Sequence, residues 1–155
     1  MARQAFVFSA RLEDWKGVRR TIAVRADQTL AVLHEALRVA FDWDDDHLYA
    51  FWLSGKFWAR DGTEYVHPFA LDGSPFAGWD LPVETPSRVS AEQRLDRLGL
   101  TKGQRIAYVF DFGDEWRVLL TLREIVADDG AGYPRIVELV GDAPRQYPDY
   151  EEDAA

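Results

Sequence analysis

Three histidines and a run of closely spaced carboxylates are the residues of this chain best equipped for chemistry. His34, His47 and His67 offer imidazole nitrogens. Asp44, Asp45, Asp46, Asp111, Asp114 and Glu115 offer oxygens, and the two kinds together suit zinc, manganese or magnesium. No HExxH or comparable pair orders them, so a metal site of His34, His47 and Asp111 requires the fold to join distant segments. Asp111 with Asp114 is a carboxylate pair able to do acid–base work, although acids beside a glycine turn more often accept backbone hydrogen bonds and face solvent. Ser9, Ser54, Ser74, Ser87 and Ser90 lack a Gly-x-Ser-x-Gly context. With no cysteine, thiolate ligands, disulfides and cysteine nucleophiles are all excluded. Asp111-Phe112-Gly113 matches the magnesium-binding tripeptide of protein kinases. The His-Arg-Asp loop, the Gly-rich phosphate loop and the strand lysine are missing, and 155 residues are too few, so a kinase is excluded.

That tripeptide lies in the strongest local pattern of the chain, from Gln104 to Val126. Ile106, Tyr108, Phe110 and Phe112 share one parity, as do Trp116, Val118, Leu120 and Leu122 beyond the break, which predicts two half-buried strands. Phe112-Gly113-Asp114-Glu115 supplies turn residues between them. The result is a long hairpin carrying Asp111, Asp114, Glu115 and Trp116 at its tip. His34 belongs to a different element. Asp27 or Thr29 supplies a helix cap, and Leu30, Leu33, Leu37, Ala40 and Phe41 recur at helical spacing, predicting a helix over 29–41 laid on the sheet. At the edge of that stripe, His34 has the ordinary outcome of a histidine bonded to a neighbour. The helix stops before Asp42-Trp43-Asp44-Asp45-Asp46, where acids oppose the C-terminal dipole. His47 then opens a strand running to Leu53.

The remaining segments frame these. Ala5 to Leu12 and Val18 to Arg25 alternate and form an opening antiparallel hairpin about Asp14-Trp15-Lys16-Gly17. Ser54-Gly55-Lys56 is a turn, with Phe57 to Arg60 as the returning strand and Glu64-Tyr65-Val66 a short further piece. His67 to Gln93 holds recurring Pro and Gly without a period and is an irregular loop, with Phe69, Phe76 and Trp79 packed on the body. Ser90 to Leu98 gives a short helix docked by Leu95, Leu98 and Leu100. Pro134 to Val140 is a last apolar strand, followed by an acidic, Pro-containing tail anchored by Tyr147 and Tyr150.

A content of 47% apolar residues excludes wholesale disorder, and the length suits one domain with a real core. A net charge of -9 argues against direct nucleic-acid binding, which needs several Lys and Arg on phosphates. Arg11, Lys16, Arg19, Arg20 and Arg25 form the one basic concentration. On paired strands they would converge, although a solvated strand face is the plainer expectation. No stretch reaches the roughly 18 apolar residues of a membrane span, and the first 15 residues do not make a secretory signal, so a cytoplasmic protein without membrane contact is expected.

Two stretches carry a family resemblance. Residues 29–51, TLAVLHEALRVAFDWDDDHLYAF, resemble a Thr-Leu helix with Leu-His that ends in Ala-Phe-x-Trp and continues into His-Leu-Tyr-x-Phe. Residues 108–116, YVFDFGDEW, resemble a Tyr-x-Tyr-Asp-Phe-Gly-Asp-x-Trp block. In order and spacing the chain is similar, over nearly its whole length, to the plasmid pRiA4b ORF-3-like family, also described as a passenger protein of a transposable element. The resemblance implies a compact α+β domain. Its pattern falls on Leu33, His34, Phe41, Trp43, His47, Leu48, Tyr49, Phe51, Asp111, Phe112, Gly113, Asp114 and Trp116. The chain departs at Asp42, where the family often has glycine, and at Val118, where it often has a histidine. The second departure weakens a metal or acid–base role. The family brings no established activity, and its link to mobile elements is a genomic setting.

The expected architecture is a single α+β domain spanning residues 1–155: a mostly antiparallel sheet, one main helix packed on it, a long irregular loop over 67–93 and an acidic tail from about 143. The expected function is that of a non-enzymatic binding or interaction module for an unknown protein or small-molecule partner, without a cofactor. Its site is the cluster of His34, Trp43, His47, Tyr49, Asp111, Asp114 and Trp116. The alternative is a small metal-assisted hydrolase using His34, His47 and Asp111 with a metal-bound water as nucleophile. Either site requires the helix end and the hairpin tip to converge within roughly 15 Å, the span of one small-molecule pocket.

Overall fold

A strand whose residues are apolar at both parities has to be covered on both faces, and Arg105–Phe110 is such a strand. The computed structural model describes residues 3–44, 47–60, 62–68 and 87–144. Their elements are β1 (Gln4–Leu12), β2 (Arg19–Arg25), α1 (Leu30–Ala40), β3 (Tyr49–Trp52), β4 (Thr63–Val66), β5 (Ser87–Ser90), β6 (Arg105–Phe110), β7 (Trp116–Ala127) and β8 (Arg135–Val140). All eight strands join one sheet in the order β5-β4-β3-β6-β7-β1-β2-β8. Every pairing is antiparallel except that of β4 with β5. The α+β class, with one helix on a mostly antiparallel sheet, is the one expected.

Parity sorts the two faces. Phe6, Phe8, Ile22, Tyr108, Phe110 and Leu120 face α1, which returns Leu30, Leu33, Leu37 and Ala40 to form the main core. Ala50, Trp52, Val66, Ala107 and Val109 make a second, smaller core on the opposite face, where Phe57 and Ala59 cover them. This corrects one expectation. Phe57 to Arg60 does not return beside β3. It crosses the sheet face as turn and bend, and β4 is the strand that pairs, with Ala50 opposite Val66 and Phe51 opposite Tyr65.

Two further boundaries differ. The segment expected to be irregular over 67–93 contains β5, which lies parallel to β4, and residues 90–98 form only a 3-10 turn at Leu95–Arg97. Leu95 is nonetheless fully buried, and Leu98 and Leu100 pack on the main core. The expectations for Phe69, Phe76, Trp79, Tyr147 and Tyr150 lie outside the described residues. Among the described residues, no helix is long and apolar enough to cross a membrane.

Both ends of α1 are closed by specific groups. Of the two candidate caps it is Thr29 that accepts a hydrogen bond, from the Val32 amide at 3.2 Å, while Asp27 pairs with Arg25. At the other end the Trp43 amide donates to Arg38 O at 2.9 Å and the Asp42 amide to Val39 O at 3.2 Å. That is a Schellman arrangement, and it needs a left-handed residue where Asp42 stands with φ 59°. Backbone geometry therefore ends the helix, in addition to any charge effect of the acids that follow. Arg20 reinforces the same end. It shares parity with Ile22 and Val24, so it enters the core face, only 5% exposed. Its Nε donates to Ala40 O at 2.9 Å, and its Nη1 donates to Val140 O at 2.9 Å and Gly141 O at 3.1 Å. Burial pulls this guanidinium below its ordinary pKa and Asp142 partly restores it.

Glycine carries no Cβ to strain a left-handed backbone, so Asp42→Gly should stabilise the fold by about 0.5–1 kcal/mol. Asp42→Val should cost about 1–2 kcal/mol, because a branched residue at positive φ is the poorest fit. Chemical denaturation of the three proteins measures both.

Candidate functional site

Phe110, the last residue of β6, is the centre on which the two distant motifs meet. Trp43, delivered by the left-handed turn after α1, stacks on it with ring centroids 5.0 Å apart and planes 6° apart. His47 meets it edge-on at 5.8 Å, and His34 from α1 lies at 5.8 Å. Trp116, opposite Phe110 in the β6–β7 ladder, contacts Trp43 at 5.9 Å. His34 is stacked on Tyr49 at 3.7 Å, and its Nδ1 shares a 2.8 Å hydrogen bond with the Tyr108 hydroxyl. Arg38 holds the pile from behind by donating to Trp43 O at 3.0 Å. The helix end and the hairpin tip thus converge through direct contacts.

The hairpin tip is built differently from its sequence pattern. Residues 111–115 form a loop closed by a 2.6 Å hydrogen bond from the Glu115 amide to Asp111 O. The left-handed positions are Asp111 at φ 64° and Glu115 at φ 53°, and Gly113 is not among them. Asp111 suits this conformation because its short carboxylate bonds locally: Oδ1 accepts from the amides of Gly113 at 3.1 Å and Asp114 at 3.3 Å. Its other oxygen, Oδ2, faces His47 Nε2 at 3.4 Å. Glu115 accepts from Trp58 Nε1 at 2.7 Å and from Arg117 Nη2 at 2.9 Å. Trp58 in turn packs against Phe112 and Trp52, tying the tip to the cover of the second core.

The seven expected site residues separate by depth. His34, Trp43 and Tyr49 are buried at 4%, 2% and 1% exposure and serve the packing. Asp111 is 6% exposed and reaches the surface beside His47, whose side chain is 31% exposed. Asp114 is exposed at the rim and joins the cluster through its backbone amide. Trp116 is half-buried, and its Nε1 is enclosed with no hydrogen-bond partner among the described residues. The metal set of His34, His47 and Asp111 does not assemble. His34 Nδ1 is committed to Tyr108, and no group of three or more His, Asp or Glu among the described residues is arranged to hold an ion. Phe110 and Tyr108, which organise the cluster, were not among the candidates. Their parity with Ile106 marked them as core, and nothing local marked them as the contact point for two histidines.

Two outcomes test the tip. Gly113→Ala should be neutral or stabilise by up to about 0.5 kcal/mol, since its φ is ordinary and an added Cβ meets Asp111 Oδ1 only at 3.4 Å. Asp111→Ala should cost about 2–3 kcal/mol, through loss of two accepted amides and a worse left-handed residue. The hydrogen bond from Trp58, followed by that from Arg117, lowers the Glu115 pKa from its ordinary 4.5. Its contribution to stability is therefore complete above pH 4.5 and is lost as the pH falls towards the folded value. Following the Trp58 indole proton by NMR should show its transition below pH 4.5, and Trp58→Phe should move the Glu115 midpoint upward.

With this geometry in hand, comparison with known proteins gives a family and a fold. The family described as plasmid pRiA4b ORF-3-like protein matches residues 4–148. The uncharacterized protein y4hQ of Sinorhizobium fredii (strain NBRC 101917 / NGR234) is 27% identical over 127 residues, which cover 82% of this chain and 57% of that protein. The chain thus spans a little over half the length of that relative. A protein of unknown function, MM3350 from Methanosarcina mazei Go1, has a crystal structure that superposes with a TM-score of 0.67 at 21% identity, covering 94% of this chain and 74% of the other. At that identity the likeness speaks for the fold alone. Matched from its first strand to beyond its last, and carrying both motifs in contact around Phe110, this chain belongs to the plasmid pRiA4b ORF-3-like family.

Proposed function

We propose that this protein is a cytoplasmic, non-enzymatic binding module, in the setting of plasmid or mobile-element genes, whose ligand seats at the hairpin tip against His47, Asp111 and Trp116. The observation that carries this is the Trp116 indole N–H, enclosed beside Trp43 without an acceptor among the described residues. A buried donor left unmet costs about 1–3 kcal/mol, so a ligand acceptor that displaces the atoms now covering this N–H recovers that energy as affinity. Asp111 Oδ2 and the partly exposed His47 side chain lie on the same pile and give the ligand a charged acceptor and a ring to contact. The backbone at Asp111 is held at a positive φ beside them, as is common where a side chain is kept ready for a partner. The best-fitting ligand is a small polar molecule with an acceptor for Trp116 and a donor for Asp111.

The metal-assisted hydrolase gains no comparable support. Once His34 is engaged by Tyr108 and stacked on Tyr49, His47 and Asp111 are two donors where a catalytic metal commonly takes three from the protein. The net charge of -9 weighs against direct nucleic-acid binding.

A set of small polar fragments screened by NMR against the protein labelled at its indole nitrogens is the direct test. Binding fragments should shift the Trp116 Nε1–H signal downfield, as expected when a free donor acquires an acceptor, and move the His47 ring protons with it. Trp116→Phe should weaken such a fragment about tenfold, the usual effect of losing one hydrogen bond to a desolvated partner. Fragments that bind elsewhere, or that bind the Phe variant equally well, would refute this site.

A further inference from the structure

The sheet face opposite α1 has two halves, and the half without an apolar cover among the described residues carries three arginines in an acidic protein. On this half β1 lies between β7 and β2. Ser9 stands opposite Thr121 on one side and Thr21 on the other. Two residues along β1, on the same face, Arg11 stands directly opposite Arg19. In the other direction the β1–β7 register shifts between Val7 and Phe8, whose partners are Glu124 and Leu122. Arg123 is the extra residue of that bulge, and bulges commonly re-aim a side chain. Ser9, Arg11, Arg19, Thr21 and Arg123 line one hollow of about 490 Å³, within the range of small-molecule sites.

The charges there are not arranged for folding. Like charges directly opposite on neighbouring strands are destabilising. The chain has 27 acids against 18 bases, so acidic partners are plentiful, yet Arg11 and Arg123 make no ion pair among the described residues. Arg19 spends one nitrogen, Nη2, on Glu138 at 3.0 Å. The floor is polar as well, since Ser9 is only 9% exposed and is flanked by two threonine hydroxyls. Guanidinium forks over hydroxyl donors match the oxygens of a phosphate group. Glu124 and Glu138 also line the hollow, Glu138 paired with Arg19, and carboxylates there repel a long polyanion and accept from hydroxyls of a compact ligand.

We propose that this hollow binds a small hydroxylated organic phosphate, with Arg11, Arg19 and Arg123 on the phosphate and Glu124 and Glu138 on the ligand hydroxyls. It lies on the face away from His47 and Trp116, so it stands or falls independently of the hairpin-tip site.

The test is titration of the full chain at low ionic strength with ribose 5-phosphate, inorganic phosphate and a short single-stranded oligonucleotide, followed by NMR and calorimetry. Ribose 5-phosphate should shift the Ser9 and Thr21 amides and the Arg11 and Arg123 side-chain N–H signals saturably, and should bind more tightly than phosphate alone. Arg11→Gln and Arg123→Gln, both at exposed positions and so expected to fold, should each weaken it about tenfold. Arg97→Gln, on the distant 3-10 turn, should leave it unchanged. The proposal is overturned by no saturable shift up to about 10 mM ribose 5-phosphate, a concentration beyond any specific affinity. It is equally overturned if inorganic phosphate binds as tightly, if the oligonucleotide binds more tightly at the same residues, or if Arg97→Gln weakens binding as much as Arg11→Gln.

Discussion

Covering Phe110 is the constraint from which the site follows. It ends a strand enclosed on both faces, and rings from outside its own hairpin, those of Trp43, His34 and His47, close against it. The chain solves this with a left-handed residue immediately after α1, which reverses direction quickly enough to lay Trp43 flat on the ring. The same reversal leaves His47 to meet the ring edge-on, while α1 contributes His34 from above. The two motifs that mark the family are therefore one packing unit split across the sequence, and a change in either is felt by the other. Large aromatics suit this role because each buries much area in a fixed geometry.

The two faces of the sheet divide the labour. Over β3, β4 and β6 the second face carries a small apolar core covered by Phe57 and Ala59, so the strands that bear the aromatic cluster are enclosed on both sides. Over β1, β2 and β7 no such cover is present among the described residues, and the parity opposite the core carries serine, threonine and arginine. Enclosure at one end and exposure at the other come from one continuous sheet, according to which side chains each strand's alternation places on that face.

Much of this was legible in the sequence because it is periodic. The strands of the central hairpin, the opening hairpin, the helix and its Thr29 cap are local patterns, and each appears where the pattern lies. What escaped was set by contacts between distant segments. Phe57 to Arg60 looked like a returning strand because the Ser54-Gly55-Lys56 turn precedes it, but Phe57 and Ala59 serve a second core that no local pattern announces. β5 is four residues long, and its parallel partner is a strand far back in the sequence. In the hairpin tip the positive φ angles fell to Asp111 and Glu115, because the ladder ends at Phe110 opposite Trp116 and not one residue later as the glycine suggested. Of the seven candidate residues, the motifs brought all to one place. Only depth separates His34, Trp43 and Tyr49 from the rest, and depth depends on the whole sheet. Arg20 did carry a signal, since it shares parity with Ile22 and Val24, but its charge suggested solvent.

Arg20 has a consequence for motion. Its guanidinium touches carbonyls from the last residue of α1, the last residue of β8 and Gly141 beyond it, and Asp142 is the carboxylate whose charge acts on it. A Cβ at Gly141 would lie 2.2 Å from Gly17 O, so the chain there is also wedged against the β1–β2 turn. Fraying of β8, an edge strand, would strip a buried cation of the two acceptors that Val140 and Gly141 supply. The edge of the sheet, the C-terminal end of α1 and the opening turn are thereby joined into a single cooperative opening unit. Because the same helix end launches Trp43 onto Phe110, slow breathing at the far margin of the sheet is coupled to the order of the aromatic pile.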